Sequence, residues 1–174
     1  MQRGVHCSMV DSLVRGSASA QNSRKAFALV VVIGTLAAAS VGLARADHLE
    51  DFKSPFDGSP MKFELLPNEE ETPAIKKFKE TGVNDYRDNA EAVAEGKKLY
   101  VRNCIICHGA DGTGKMGPTL VGNDVVYPQA RSDPGMFSII YGGASGAMQS
   151  FHKRGMKQDD MLKIVAYVRS LEKK

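Results

Sequence analysis

Apolar and polar positions divide the chain into three stretches of different character. Residues 26–43 are a nearly unbroken apolar run, preceded by Arg24 and Lys25. Residues 47–71 follow no period: Pro55, Pro60, Pro67 and Gly58 interrupt them and Glu69-Glu70-Glu71 ends them, a pattern of irregular backbone. From residue 72 the helical period returns. Thr72 suits an N-cap, Pro73 the first helical position and Gly82 a stop, so a short helix is predicted over 73–81. Residues 83–89 are rich in turn formers. A second helix is predicted over 90–103, capped by Asp88 or Asn89, with Ala90, Val93, Ala94, Leu99, Tyr100 and Val101 partly in helical phase. Gly96 lies inside it. An interior glycine costs about 1 kcal/mol against alanine, so close packing is expected there. A loop with six Gly and three Pro occupies 109–135, a short helix 133–141, and a glycine-rich loop 142–155. The last helix, 158–171, sets Met161, Ile164, Val165, Val168 and Leu171 on one face. Asp159 and Asp160 suit its positive end, and Lys173 and Lys174 the other. No segment alternates as a strand. The expected fold is all-α, with long glycine-rich loops that need something to fill the space they enclose.

The apolar run reads as a targeting segment. Ala44-Arg45-Ala46 after it gives a small-x-small cleavage site, which points to a cleaved signal peptide over 1–46 rather than an uncleaved anchor. Either way residues 47–174 are expected outside the cytoplasm, with no later segment apolar enough to span a membrane. Removing 1–46 takes away five basic residues and one acidic residue, leaving 18 basic and 19 acidic. The mature protein is then mildly acidic and unsuited to nucleic acid, which wants a strong basic patch. Cys7 leaves with the presequence, so the mature chain holds only Cys104 and Cys107.

Cys104-Ile105-Ile106-Cys107-His108 is a C-x-x-C-H haem-attachment motif. Two cysteines three positions apart on a helical turn can reach the two vinyl groups of one haem, and the next residue then lies beneath the iron. Export agrees with this, because covalent haem attachment is completed outside the cytoplasm. A zinc site would need four ligands, and the rest of the mature chain offers only His48 and His152 and no second Cys pair. A thioredoxin-like pair would need a βαβ context, and a plain disulfide would not need His108.

The second axial position is open between several residues. Met136 and Met161 fall in helical patterns, where a Met is usually core, and Met116 lies close after His108. Met148, in the loop before the last helix, is far enough along the chain to reach the opposite haem face. Met156 is the next candidate, and His152 reads as a surface loop histidine. Gly117-Pro118 is placed for the Pro118 carbonyl to accept the proton-bearing nitrogen of His108, fixing the ring. The alternative is an ordinary turn.

Residues 90–174 resemble the class I cytochrome c family. The features are Gly96 and Tyr100 in the first helix, Cys104 to His108, Gly117-Pro118, a ligand Met and Tyr167 in the last helix. The resemblance implies that these two helices cross, with Gly96 and Tyr100 against 165–168. A narrower resemblance, to cytochrome cL, rests on Phe56-Asp57-Gly58-Ser59-Pro60, Thr72 to Phe78, Glu80 to Asn84, Glu95 to Tyr100, Tyr141 to Ala144 and Asp160 to Ile164. It divides the mature chain into an N-terminal extension with a short helix (47–89) and a cytochrome domain (90–174). It implies one covalent haem c bound by Cys104, Cys107, His108, Met148 and Pro118, with His108 and Met148 on the iron. It also implies a periplasmic electron carrier rather than an enzyme. The donor would be a PQQ-dependent methanol dehydrogenase and the acceptor a downstream c-type cytochrome or oxidase. The rivals are a general class I cytochrome, or a haem peroxidase or gas sensor with an open sixth position. Met148 is followed by Gln149 where many class I members have Pro, and 150–157 is unusually basic, with Lys153, Arg154 and Lys157.

Overall fold

The computed structural model describes residues 52–172. The apolar run, the 44–46 cleavage site, Cys7, His48 and Lys173-Lys174 lie outside the described residues. Among those described there are five α-helices and no strand, only an isolated antiparallel bridge between Lys53 and Pro60. The helices are α1 (Pro73–Thr81), α2 (Ala90–Asn103), α3 (Ile105–His108), α4 (Asp133–Gly142) and α5 (Gln158–Glu172). None is long and apolar enough to cross a membrane.

Local chemistry accounts for most of the helix ends. The Thr72 hydroxyl accepts from Ile75 N and Gly82 ends α1 in the left-handed region. Asn89, rather than Asp88, caps α2 through Ala92 N. Ser132 caps α4, with Pro134 in its first turn. Two short 3₁₀ turns, Asp85–Asp88 and Pro128–Arg131, occupy stretches whose sequence reads only as loop.

The most extensive pairing of elements is α2 against α5. Gly96 makes it possible, since a Cβ there would collide with the Lys163 carbonyl. Gly96 meets Lys163 and Tyr167, the latter within the expected 165–168, and Tyr100 stacks at a tilt on Tyr167, centroids 5.2 Å apart. The buried stripe of α2 is Ala92, Gly96 and Tyr100, whereas Val101 is exposed. At Gly96 the backbones come so close that a larger residue has no room, while a turn later Tyr100 is buried against Tyr167. Helix α5 is buried on nearly every side, not along one face, because the chain before α1 covers what a bare helix pair would leave open.

That covering segment, 52–71, is irregular in backbone but anchored in the core. Phe52 and Phe63 join Phe78, Phe137 and Tyr141 in an edge-to-face cluster with centroids 4.9 to 6.5 Å apart. The buried Glu69 carboxylate accepts from Gln158 N at the start of α5 and from Leu66 N, supplying a partner for a helix-end donor. Asp159 accepts from both Thr72 and Tyr86 at 2.7 Å. Arg169, buried in α5, donates to Asp133 Oδ1 and the Ala130 carbonyl, each at 2.7 Å, fastening α5 to the start of α4.

Candidate haem site

Helix α2 ends where Cys104 breaks its geometry, and α3 is a single turn closed by His108 N and Cys107 N on the Cys104 carbonyl. Gly109, at φ 77°, then turns the chain away. This turn brings Cys104, Cys107 and His108 together. Both thiols are unpaired, Cys104 half-buried and Cys107 exposed. Burial pushes the Cys104 thiol up to about 12, aided by Cys107 and opposed by Arg154.

His108 is buried, and its Nδ1 lies 2.8 Å from the Pro118 carbonyl. A carbonyl can only accept, so Nδ1 carries the proton and Nε2 keeps its lone pair for a metal. The loop that delivers Pro118 is built on backbone bonds. Gly114 N donates to the His108 carbonyl, and Lys115 N and Gly117 N donate to that of Cys107. The Tyr100 hydroxyl donates to the Gly109 carbonyl at 2.7 Å. A Cβ on Gly117 would sit 3.0 Å from His108 Cε1, so a glycine there lets the loop lie against the imidazole.

Met148 is half-buried and packs against both apolar clusters, the main core and a small one of Val125, Ala130, Ile139 and Ala144. Its carbonyl accepts from Ala144 N at 2.9 Å. Met136 and Met161 are fully core, Met116 is 78% exposed, and Met156 is half-buried against the main core. His152 is not a surface histidine. It stacks on Tyr141 with centroids 4.4 Å apart, and its buried Nδ1 has no hydrogen-bond partner. The sequence gives no sign of this stack, which depends on Tyr141 and His152 meeting across a loop.

These residues fit a haem c. Two unpaired thiols share a turn with an imidazole whose Nδ1 is satisfied, and a thioether lies at the meeting of two apolar clusters. Residues 91–168 match the family described as cytochrome C oxidase, cbb3-type, subunit III. The chain is 42% identical over 101 residues to cytochrome c-L of Methylorubrum extorquens, covering 58% of this chain and 51% of that one. The match thus spans about half the length of that relative. The crystal structure of cytochrome cL from Methylophaga aminisulfidivorans superposes with a TM-score of 0.64 at 34% identity, over 68% of this chain and 79% of that one. Cytochrome cL from Hyphomicrobium denitrificans gives 0.62 at 37% identity, over 68% and 71%.

Fold and matches together define the class as that of c-type cytochromes, proteins with covalent haem c. Within that class the chain belongs to the cytochrome cL family, whose members carry one haem.

Proposed function

We propose that this chain is an exported single-electron carrier of the periplasm. Its donor is a PQQ-dependent methanol dehydrogenase, and its acceptor a downstream c-type cytochrome or oxidase. Cys104 and Cys107 would hold the haem covalently, His108 and Met148 would bind its iron, and Pro118 fixes the His108 ring. The observation that carries this reading is the turn with two free thiols beside an imidazole bonded at Nδ1 to Pro118 O, 2.8 Å away.

When bound, the haem supplies a one-electron iron couple. The protein's part is to hold it still. Nδ1–H donation to Pro118 prevents His108 from turning and raises its basicity, while a Met ligand favours the reduced state. Iron held by both His108 and Met148 would leave no vacancy for substrate, which separates this reading from a haem peroxidase or gas sensor. Partners dock weakly over a small interface, and the charged rim, including Lys153, Arg154 and Lys157, makes the on-rate sensitive to salt.

The test mixes oxidised holoprotein with a PQQ-dependent methanol dehydrogenase and methanol and follows haem reduction by absorbance. Fast, salt-sensitive reduction that requires both enzyme and methanol is expected. A protein that other donors reduce but this pair does not would lose the dehydrogenase assignment. Carbon monoxide binding to the ferrous protein as fast as to a five-coordinate haem would favour the peroxidase or sensor. The match of residues 91–168 to an oxidase subunit family supports a second reading, a general class I carrier that serves an oxidase from another donor.

A further inference from the structure

The loop that carries Met148 is fastened at both flanks to the C-terminal end of α4. Before Met148, Ala144 N donates to its carbonyl, and Gly143, at φ 84°, lies so close that a Cβ would sit 2.8 Å from that oxygen. After it, Ser150 Oγ donates to the Tyr141 carbonyl at 2.6 Å, Phe151 N donates to the Ile140 carbonyl at 3.1 Å, and His152 stacks on the Tyr141 ring. Apart from Ser145, which bonds to the Tyr127 hydroxyl, the contacts that fasten the loop therefore converge on residues 140–144.

That end of α4 is itself held from outside the cytochrome domain. The Tyr141 hydroxyl accepts from Glu64 N at 2.9 Å and donates to Glu64 O at 3.4 Å, so one phenol satisfies both backbone groups of a residue in the N-terminal segment. Phe63 packs edge-on against the same ring, 4.9 Å away. Met61 fills the space beside Gly142, where a Cβ would lie 2.9 Å from its Cε. Gln158 Nε2 donates to the same Glu64 carbonyl at 2.8 Å, fixing that strand of chain to α5.

We propose that Tyr141 is a positioning residue for the axial ligand, and that residues 61–64 hold the Met148 sulfur in place through it. The proposal rests on Met148 being that ligand. A ring held at one edge by Glu64 and on its faces by Phe63 and His152 cannot swing, so the 144–150 loop pivots on a fixed point. Removing the hydroxyl frees the pivot while leaving the ring in its packing.

The test is Tyr141→Phe in the holoprotein, alongside Ser150→Ala, which removes the loop's bond to the Tyr141 carbonyl. The readouts are the far-red absorbance band of sulfur-ligated ferric haem and the rate of carbon monoxide binding to the ferrous form. Each substitution is expected to speed carbon monoxide binding about 5- to 10-fold, the factor for one lost hydrogen bond, and to move loss of the band to lower pH. Tyr86→Phe is the control. It removes a half-buried phenol's bond to Asp159, a pair that makes no hydrogen bond to the Met148 loop or to residues 61–64, and should leave both readouts unchanged at a similar loss of thermal stability. Equal effects from Tyr86→Phe and Tyr141→Phe, or none from Tyr141→Phe and Ser150→Ala, would overturn the positioning role. Met148→Ala separates the two levels: if it keeps the band, the ligand assignment fails and the proposal with it. If it loses the band while Tyr141→Phe behaves as wild type, only the positioning role fails.

Discussion

Between Tyr100 and Leu120 the chain is held by hydrogen bonds that span at most ten residues, such as His108 to Pro118 and Tyr100 to Gly109. The opposite side, where Met148 lies, depends on bonds of another order. Glu64 reaches Tyr141 across 77 residues, Glu69 reaches Gln158 across 89, and Glu64 reaches Gln158 across 94. The first side is exposed and glycine-rich, with Ile106 69% and Met116 78% exposed. On the second, all of residues 133–141 are buried, although Ser145 to Ala147 in the Met148 loop are exposed. Of the two proposed ligands, His108 is placed by local backbone geometry and Met148 by the packing of the whole molecule. Local damage should therefore be felt at His108, and global damage at Met148.

The largest effect is expected where both sides share a support. Gly96→Val would drive a side chain into the Lys163 carbonyl and force α2 from α5, costing about 4 kcal/mol or more, enough to consume much of a small domain's stability. Thermal unfolding and the yield of holoprotein measure it. Phe137→Ala empties the middle of the aromatic cluster and should cost about 3–4 kcal/mol. Its spectra should lose sulfur ligation before histidine ligation as temperature rises. Loss of both together would contradict the comparison.

Asp159→Asn tests the polar joint between the N-terminal segment and α5, at about 1–2 kcal/mol. Burial alone would raise the Asp159 carboxyl. The bonds from Lys163, Tyr86 and Thr72 outweigh it and hold the folded value below the ordinary 3.8. Its stabilisation is therefore complete above that value and lost as pH falls through the lower folded one. The variant should show a shallower fall in melting temperature in acid, a difference absent at neutral pH apart from a constant offset. Gly117→Ala should have the smallest effect on stability, about 1 kcal/mol, yet act directly on the proximal side. A Cβ 3.0 Å from His108 Cε1 would push the ring off Pro118, weaken the basicity of the imidazole and raise the reduction potential, measured by redox titration. Sulfur ligation should persist.

The same division explains what was legible beforehand. Thr72, Pro73 and Gly82 mark α1 because caps act within four residues, and Gly96 announced a close crossing because its cost demands a reason. The motif at 104–108 and Gly117-Pro118 were readable as spacing. Phe52, Phe63 and Tyr141 were not, since an aromatic in an irregular segment carries no period and its partners lie far along the chain. The exposure of Val101 and the burial of Ala92 went against hydrophobicity, because at a close crossing size decides which residues face inward. His152 read as a surface residue because only the folded loop reveals its ring partner.

The crossing of α2 and α5 also sets an order in time. Helix α2 ends at Asn103 and α5 begins at Gln158, so their contact cannot form until α5 has been made. Non-local pairings of this kind slow folding and lengthen the life of the open chain. The short hydrogen-bonded turn bearing Cys104 and Cys107 needs none of that contact and can form early. Through that interval both thiols stay open to the chemistry that, in the proposed function, joins them to the haem.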